Sequence, residues 1–192
     1  MKKYKIARCI IVAFLQMWCF DVSAQLSIGA AGGVASRWSF PSRIGALGTG
    51  PSFSFKYRMW KGLVTGIDYE YYRFGPDAKP SGNVNYKIAY HGYKAAIEYH
   101  LGKKKFKPYA GVSLGIFNYR TLTTIDFGAF GKQELLKNEY YFGIAPVIGA
   151  NYPISARVGV NANIKLNAVF IKQAAPIGYG ALSLGIYYNI IK

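Results

Sequence analysis

Cysteine is nearly absent from this chain of 192 residues, and both cysteines, Cys9 and Cys19, lie in its first 24 residues. Those residues open with a basic segment, continue with an apolar segment and end on the sequence VSA. This order is typical of a secretory signal peptide that is cleaved after a small-x-small site. We therefore predict a signal peptide over residues 1–24 and one exported domain over residues 25–192, which has no disulfide bond to stabilise it.

Acidic residues are also scarce, since eight Asp and Glu stand against 24 Lys and Arg. Cleavage after residue 24 would leave 20 basic and 7 acidic residues, a net charge of +13. Such a charge favours solubility or attraction to anionic surfaces. Because an exported chain leaves the cytoplasm, we expect anionic lipids as partners and no nucleic acid.

Histidine is limited to His91 and His100 in the exported part. The two positions differ in parity, so on one strand they point to opposite faces and cannot share a metal ion. No group of Cys, His, Asp and Glu has the spacing of metal ligands. The sequence therefore predicts no metal, no cofactor and no enzymatic activity.

Helical periodicity is missing as well, and apolar and polar residues instead alternate with period two. The clearest example is residues 156–170, where every second residue from Val158 to Phe170 is apolar. This alternation lasts about 15 residues, whereas strands in soluble proteins have about 5–6. The apolar face could fill the core of a soluble sandwich, or it could face lipid around a closed barrel with a polar interior.

The same pattern recurs along the chain and predicts eight strands. They cover residues 26–35, 47–59, 63–74, 86–101, 107–119, 138–152, 156–170 and 178–190. The connections alternate between long ones (36–46, 75–85, 120–137 and 171–177) and short ones (60–62, 102–106 and 153–155). Transmembrane barrels show this asymmetry between their two ends. Pro51 and Pro146 fall inside predicted strands, where we expect β-bulges because proline cannot donate a ladder hydrogen bond.

Aromatic residues are abundant and concentrate towards both ends of the predicted strands. Near the short turns stand Tyr57, Trp60, Tyr99, Phe106, Tyr152 and Tyr188. Near the long connections stand Tyr71, Phe74, Tyr86, Phe117, Tyr140, Phe142 and Phe170. Two aromatic girdles around an aliphatic band indicate two lipid–water interfaces. We therefore predict an all-β fold: a closed, antiparallel transmembrane β-barrel of eight strands in an up-and-down meander, with both termini at the short-turn end.

Charged residues of inward parity form the main candidate site. They are Lys56, Arg58, Asp68, Glu70, Lys94, Glu98, Arg157 and Lys165. A barrel of about eight strands is just filled by its side chains, and ionised groups inside it need partners. We predict a network of ion pairs that blocks the lumen, with Asn161, Asn163 and Asn167 solvating the excess positive charge. The alternative is that these residues line a narrow polar path.

The last strand carries a short motif made of Ser183, Gly185, Tyr188 and Ile190. It resembles the C-terminal assembly signal of bacterial outer-membrane barrels, although this chain continues to Lys192 where many such proteins end on an aromatic residue. In size and architecture the chain resembles the small OmpA/OmpX-like outer-membrane barrels. This resemblance implies location in the outer membrane of a Gram-negative cell, contact with its lipids and lipopolysaccharide, and insertion by the barrel-assembly machinery.

A narrower resemblance is to the TraO family of conjugative-transposon proteins. It rests on chain length, on strand and loop spacing over residues 66–119 and on the sequence Leu136-Lys137-Asn138. The function expected first is a non-enzymatic structural or interaction role through extracellular loops, with other envelope proteins as possible partners. The alternatives are a component of a conjugative transfer apparatus and a small-solute porin. Basic residues on or near the long loops could bind lipopolysaccharide phosphates. They are Arg37, Arg43, Arg73, Lys79, Lys87, Arg120, Lys132, Lys137 and Lys172.

Overall fold

The computed structural model describes residues 25–39, 44–75, 84–102, 105–171 and 177–190. The predicted signal peptide, residues 1–24, lies outside the described residues. Among the described residues, no helix is long and apolar enough to cross a membrane.

Eight antiparallel strands form a closed barrel in which each strand pairs with its neighbour in the chain and the last pairs with the first. The strands are β1 (Gln25–Ser39), β2 (Ile44–Trp60), β3 (Leu63–Phe74), β4 (Val84–His100), β5 (Lys107–Asp126), β6 (Lys132–Pro153), β7 (Val158–Phe170) and β8 (Ile177–Asn189). One 3₁₀ turn, Gly128–Phe130, connects β5 to β6. The predicted eight-stranded antiparallel meander is confirmed, and both ends of the barrel chain lie at the short-turn end.

The predicted loop over residues 120–137 is wrong, because most of it is strand. β5 and β6 pair without interruption as far as Asp126 and Lys132, at the tip of the connection. We call residues 118–140 the projecting hairpin, since pairing between β6 and β7 begins only at Phe142. Threonine and other β-branched residues over 121–125 favour strand, but polar side chains on both faces hid the alternation.

The tip of the projecting hairpin is closed by local hydrogen bonds. Asp126 Oδ1 accepts a hydrogen bond from the Gly128 N–H at 2.9 Å, and Lys132 Nζ lies 3.2 Å from Asp126 Oδ2. The Gly128 N–H and then the Lys132 ammonium hold the pKa of the Asp126 carboxyl below its ordinary value. These contacts fix a tight turn where the sequence predicted an irregular loop.

The bulges expected at Pro51 and Pro146 are absent. Pro51 pairs with Gly32 of β1 and Pro146 with Val112 of β5, and the register is the same on both sides of each proline. On the opposite side, Pro51 has no partner in β3 and Pro146 has none in β7. Each missing N–H therefore interrupts one ladder without shifting it, and the register shifts lie elsewhere, near the ends of β1 and β2.

The outer surface of the barrel is aliphatic at mid-height, with exposed side chains such as Ile67, Leu114 and Ile148. The six aromatic residues predicted at the short-turn girdle are all exposed there. At the other girdle, Tyr140, Phe142 and Phe170 are exposed and Tyr71 is half-buried. The side chain of Tyr86 lies outside the described part of the structure.

Two residues predicted for the second girdle, Phe74 and Phe117, point into the barrel instead and are almost completely buried. Phe74 has the parity of the inward residue Glu70, and Phe117 has the parity of the inward residue Ser113. Their position along the strand suggested an interface, whereas parity alone decides which face they occupy.

Glycine on the inner face makes room for these rings. A β-carbon at Gly143 would lie 2.6 Å from a ring carbon of Phe117 and 2.6 Å from the Ala168 carbonyl oxygen. By contrast, a β-carbon at the outward Gly32 would meet no atom within 4 Å. The lumen therefore accepts Phe117 because Gly143 of β6 has no side chain that would meet its ring.

We expect Gly143→Ala to destabilise the barrel by about 1–3 kcal/mol, because an added methyl group overpacks a filled core. Gly32→Ala is the matched control and should leave the free energy of unfolding nearly unchanged. Urea unfolding of both variants in lipid vesicles measures the difference. Equal stability of the two variants would show that Phe117 is loosely packed.

Candidate functional site

The lumen brings together six of the eight charged residues that the sequence predicts for it. They are Lys56, Asp68, Glu70, Lys94, Glu98 and Lys165. β2, β3, β4 and β7 contribute them from inward positions, three basic and three acidic. The most exposed of these side chains is that of Lys56, at 17%. We call these six residues the lumen charge network.

Glu70 is the centre of the lumen charge network and is fully buried. The Lys94 ammonium and the Tyr179 hydroxyl both donate to its Oε1 at 2.5 Å, and Lys165 Nζ lies 3.6 Å from its Oε2. Lys94 also donates to Oδ1 of Asn167 at 2.9 Å. A buried carboxylate is stable only with such partners, so these contacts tie β3 to β4, β7 and β8.

A second group of contacts continues towards the short-turn end. Lys56 Nζ lies 2.6 Å from Glu98 Oε1, while His100 Nε2 lies 3.0 Å from Glu98 Oε2. Lys165 Nζ lies 3.5 Å from Asp68 Oδ2. Each carboxylate of the network therefore has a basic group within 4 Å, and the lumen charges are neutralised locally rather than left facing an open path.

Arg157 does not belong to the lumen, which corrects the prediction from parity. It lies in the turn before β7, is exposed, and its Nη1 donates to the outward Tyr188 hydroxyl at 3.3 Å. Alternation assigns a face only within a strand, and β7 begins one residue later at Val158. The backbone N–H groups of Ile154 and Ser155 bond back to the Val158 carbonyl, and this turn carries Arg157 outwards.

Arg58 is inward but stands apart from the network, at the short-turn mouth. It has no carboxylate within 4 Å among the described residues, and its Nε is buried without a hydrogen-bond partner there. The predicted asparagines divide in the same way. Asn167 solvates Lys94, whereas Asn161 donates to Asn151 and Tyr109 and accepts from Asn163.

An aromatic cluster that the sequence analysis missed fills the lumen beyond Glu70. It consists of Tyr72, Phe74, Tyr90, Phe117 and Tyr179, all at most 1% exposed. The rings meet edge-on or tilted, with centroid distances of 5.0 Å between Tyr90 and Tyr179 and 5.3 Å between Phe74 and Tyr90. Tyr72, Phe74 and Tyr90 share the parity of inward Glu70 and Lys94, so the face assignment was available in the sequence.

The two ends of the lumen therefore differ. The aromatic cluster fills the end of the long connections, where β3 ends and β4 begins. At the short-turn end, below the lumen charge network, a polar cavity of about 260 Å³ is lined by residues from all eight strands. A solute that entered from the short-turn end would meet first the charge network and then packed rings.

A groove on the outer surface gathers three basic residues near the long connections. Arg73 and Arg120 lie on either side of Ala89 across three neighbouring strands, with Lys87 beside them. We call this the outer basic groove. Just towards mid-membrane, Tyr69 and Tyr71 contact His91, whose Nδ1 is 3.1 Å from the Tyr69 hydroxyl. Cations above aromatic rings suit a lipid with an anionic headgroup.

His91 is therefore held by tyrosines on the lipid-facing side, and His100 is inside the barrel, as their parity predicts. Across the described residues, no group of three or more His, Cys, Asp or Glu side chains could hold a metal ion.

We expect Glu70→Gln to lower the free energy of unfolding by about 3–5 kcal/mol, because it leaves the buried Lys94 ammonium without a carboxylate partner. Glu134→Gln in the exposed hairpin is the matched control and should change stability by less than about 0.5 kcal/mol. Urea unfolding in lipid vesicles checks both. A Glu70→Gln barrel as stable as the control would contradict the assignment of Glu70 as the centre of the network.

No protein-family model matches this chain, and no curated protein matches it. Solved structures do match it in fold. Neisserial surface protein A is 23% identical, with 87% of this chain and 99% of that chain covered and a TM-score of 0.61. A major outer membrane protein of Thermus thermophilus is 10% identical, with coverages of 87% and 99% and a TM-score of 0.66.

Ail, the attachment invasion locus protein of Yersinia pestis, was solved in complex with the heparin analogue sucrose octasulfate. It is 12% identical, with coverages of 88% and 100% and a TM-score of 0.61. None of these similarities supports the narrower resemblance to the TraO family. The fold of this chain is that of the small eight-stranded outer-membrane β-barrels, as the resemblance to OmpA/OmpX-like barrels implies.

Proposed function

We propose that this chain is an integral outer-membrane protein, exported through its signal peptide, with a non-enzymatic interaction role at the cell surface. One observation carries the proposal: the aromatic cluster fills the lumen at the end from which the projecting hairpin extends. A filled lumen disfavours the small-solute porin, and the exposed hairpin is left as the surface on which a partner can act.

The projecting hairpin has the chemistry of a protein contact. Leu135, Leu136 and Tyr140 are more than half exposed. Along residues 132–141, β6 pairs with β5 and with no other described strand, which leaves an edge of about 33 Å at ~3.3 Å per residue. An exposed strand edge with apolar side chains can accept a strand from a partner protein.

Two of the three cations on the projecting hairpin are paired, and the third, Arg120, belongs to the outer basic groove, so the rest of the hairpin is poorly suited to a polyanionic partner. Lys132 is paired with Asp126 and Lys137 with Glu139, at 3.2 Å and 2.9 Å. Ail shares the fold and is named as an attachment invasion locus protein, and we propose attachment as the class of contact here too. For this chain, the paired cations favour a protein surface over a sulfated glycan.

Two further partners belong to the same proposal. The outer basic groove is suited to lipopolysaccharide, because arginine binds phosphate through two parallel hydrogen bonds and the tyrosines below offer an apolar surface to acyl chains. Ser183, Gly185, Tyr188 and Ile190 would be recognised by the barrel-assembly machinery. In the barrel, Ser183 is buried against the Tyr72 hydroxyl at 3.0 Å, while Tyr188 and Ile190 face outwards.

Shortening the hairpin tests the surface role. Replacing residues 122–136 by Asn-Gly joins the paired residues Thr121 and Lys137 through a two-residue turn and leaves the rest of the β5–β6 ladder intact. Cells that display the full protein should attach to cultured cells, and the shortened protein should lose that attachment. Heat-modifiable mobility on a gel verifies that the shortened barrel folds. Attachment unchanged by the shortening would contradict the proposal.

The lipid partner has its own test. Lipopolysaccharide should raise the thermal stability of the barrel in detergent, and the double variant Arg73→Gln with Arg120→Gln should lose most of that increase, since two charge-assisted contacts disappear. Arg157→Gln, an exposed arginine at the opposite end, is the control and should keep the increase. If all three proteins respond equally, lipopolysaccharide does not use the outer basic groove.

A further inference from the structure

The polar cavity at the short-turn end is unlike the rest of the lumen, since it is open and has more hydrogen-bonding groups than its own contacts use. Its walls include Ser27, Ser54, Asn161, Asn163 and Tyr187. Its volume of about 260 Å³ corresponds to roughly eight water molecules at ~30 Å³ each. This space fits a small polar molecule and is too small for a lipid.

Positive charge dominates the cavity. Among the described residues, four cationic side chains line it, those of Lys56, Arg58, Lys107 and Lys165, against the single carboxylate of Asp68. The deeper Lys56 and Lys165 are already paired with the carboxylates of the lumen charge network. The excess charge therefore belongs to Arg58 and Lys107, at the mouth of the cavity.

Arg58 and Lys107 have no anionic partner in the described part of the chain, where neither lies within 4 Å of a carboxylate. Arg58 Nε is also buried without a hydrogen-bond acceptor. Buried donors are nearly always satisfied, and two like charges at one mouth repel each other. One anion with several acceptor oxygens would accept a hydrogen bond from Arg58 Nε and would reduce the repulsion between Arg58 and Lys107.

We propose that this cavity binds a phosphate group that enters from the short-turn end, as inorganic phosphate or as a small phosphate monoester. Phosphate carries between one and two negative charges near neutral pH, which matches the two unpaired cations. The Arg58 guanidinium can donate to two of its oxygens at once, with Lys107 as a point charge beside it. The hydroxyl group of Ser54 supplies a further donor deeper in the cavity.

This inference is independent of the projecting hairpin, which lies at the opposite end of the barrel. In the orientation of outer-membrane barrels the short turns face the periplasm. The ligand would therefore be a periplasmic solute, held at the inner mouth of a barrel whose outer end is filled by the aromatic cluster.

Isothermal titration calorimetry of the full exported chain in detergent tests the proposal, with inorganic phosphate and glycerol phosphate as separate ligands at constant ionic strength. We expect saturable binding of at least one of them. Arg58→Gln and Lys107→Gln should each weaken it by about tenfold or more, because each removes a charge-assisted contact. Arg157→Gln removes the same charge at the same end but outside the cavity, and should bind as the unmodified protein does.

Tighter binding of glycerol phosphate would identify a monoester as the ligand, and tighter binding of inorganic phosphate would identify the free ion. If anionic lipid vesicles displaced both phosphate ligands equally well, the site would bind a lipid headgroup, and the proposal of a soluble ligand would be wrong. No saturation, or equal weakening by Arg157→Gln, would overturn the cavity as a site. Arg58→Lys keeps the charge without the planar fork, and it provides an intermediate affinity if Arg58→Gln fails to fold.

Discussion

The structure depends on one buried negative charge, that of Glu70. The carboxylate is out of contact with water, so it must be neutralised inside the barrel. Lys94 and Lys165 supply the positive charge and Tyr179 donates a hydrogen bond, each from a different strand. Removing one partner of such a group leaves a buried charge uncompensated, and the contacts therefore stabilise the closed barrel as a unit. The hydrogen bonds between neighbouring strands and the ion pairs across the lumen therefore stabilise the same closed arrangement of the eight strands.

The fold could be predicted from the sequence because the period-two alternation of apolar and polar residues indicates both where the strands lie and which face each side chain occupies. Parity assigned the six residues of the lumen charge network to one interior, and the last strand has the predicted faces at Tyr188 and Ile190. Parity also assigns the rings of the aromatic cluster to the inner face. The cluster was missed because Phe74 and Phe117 were interpreted from their height along the strand, where an aromatic residue suggests a lipid interface.

Other features could not be found in this way. Arg157 shows that alternation has no meaning one residue outside a strand. The projecting hairpin shows that a strand with polar and apolar residues mixed on both faces, as at Leu135 and Leu136, has no alternation to detect. The ladder gaps at Pro51 and Pro146 depend on which of the two neighbouring strands a backbone N–H at each position would have bonded to. The unpaired Arg58 depends on distances between β2 and the opposite wall, which only a three-dimensional structure supplies.

The central claim is that charge pairs and packed rings close the lumen. Conductance of the purified protein in planar lipid bilayers tests it most directly. We expect no steady conductance through the unmodified protein. Stable, well-defined channels in the unmodified protein would contradict the claim and would show that the lumen charges line a path.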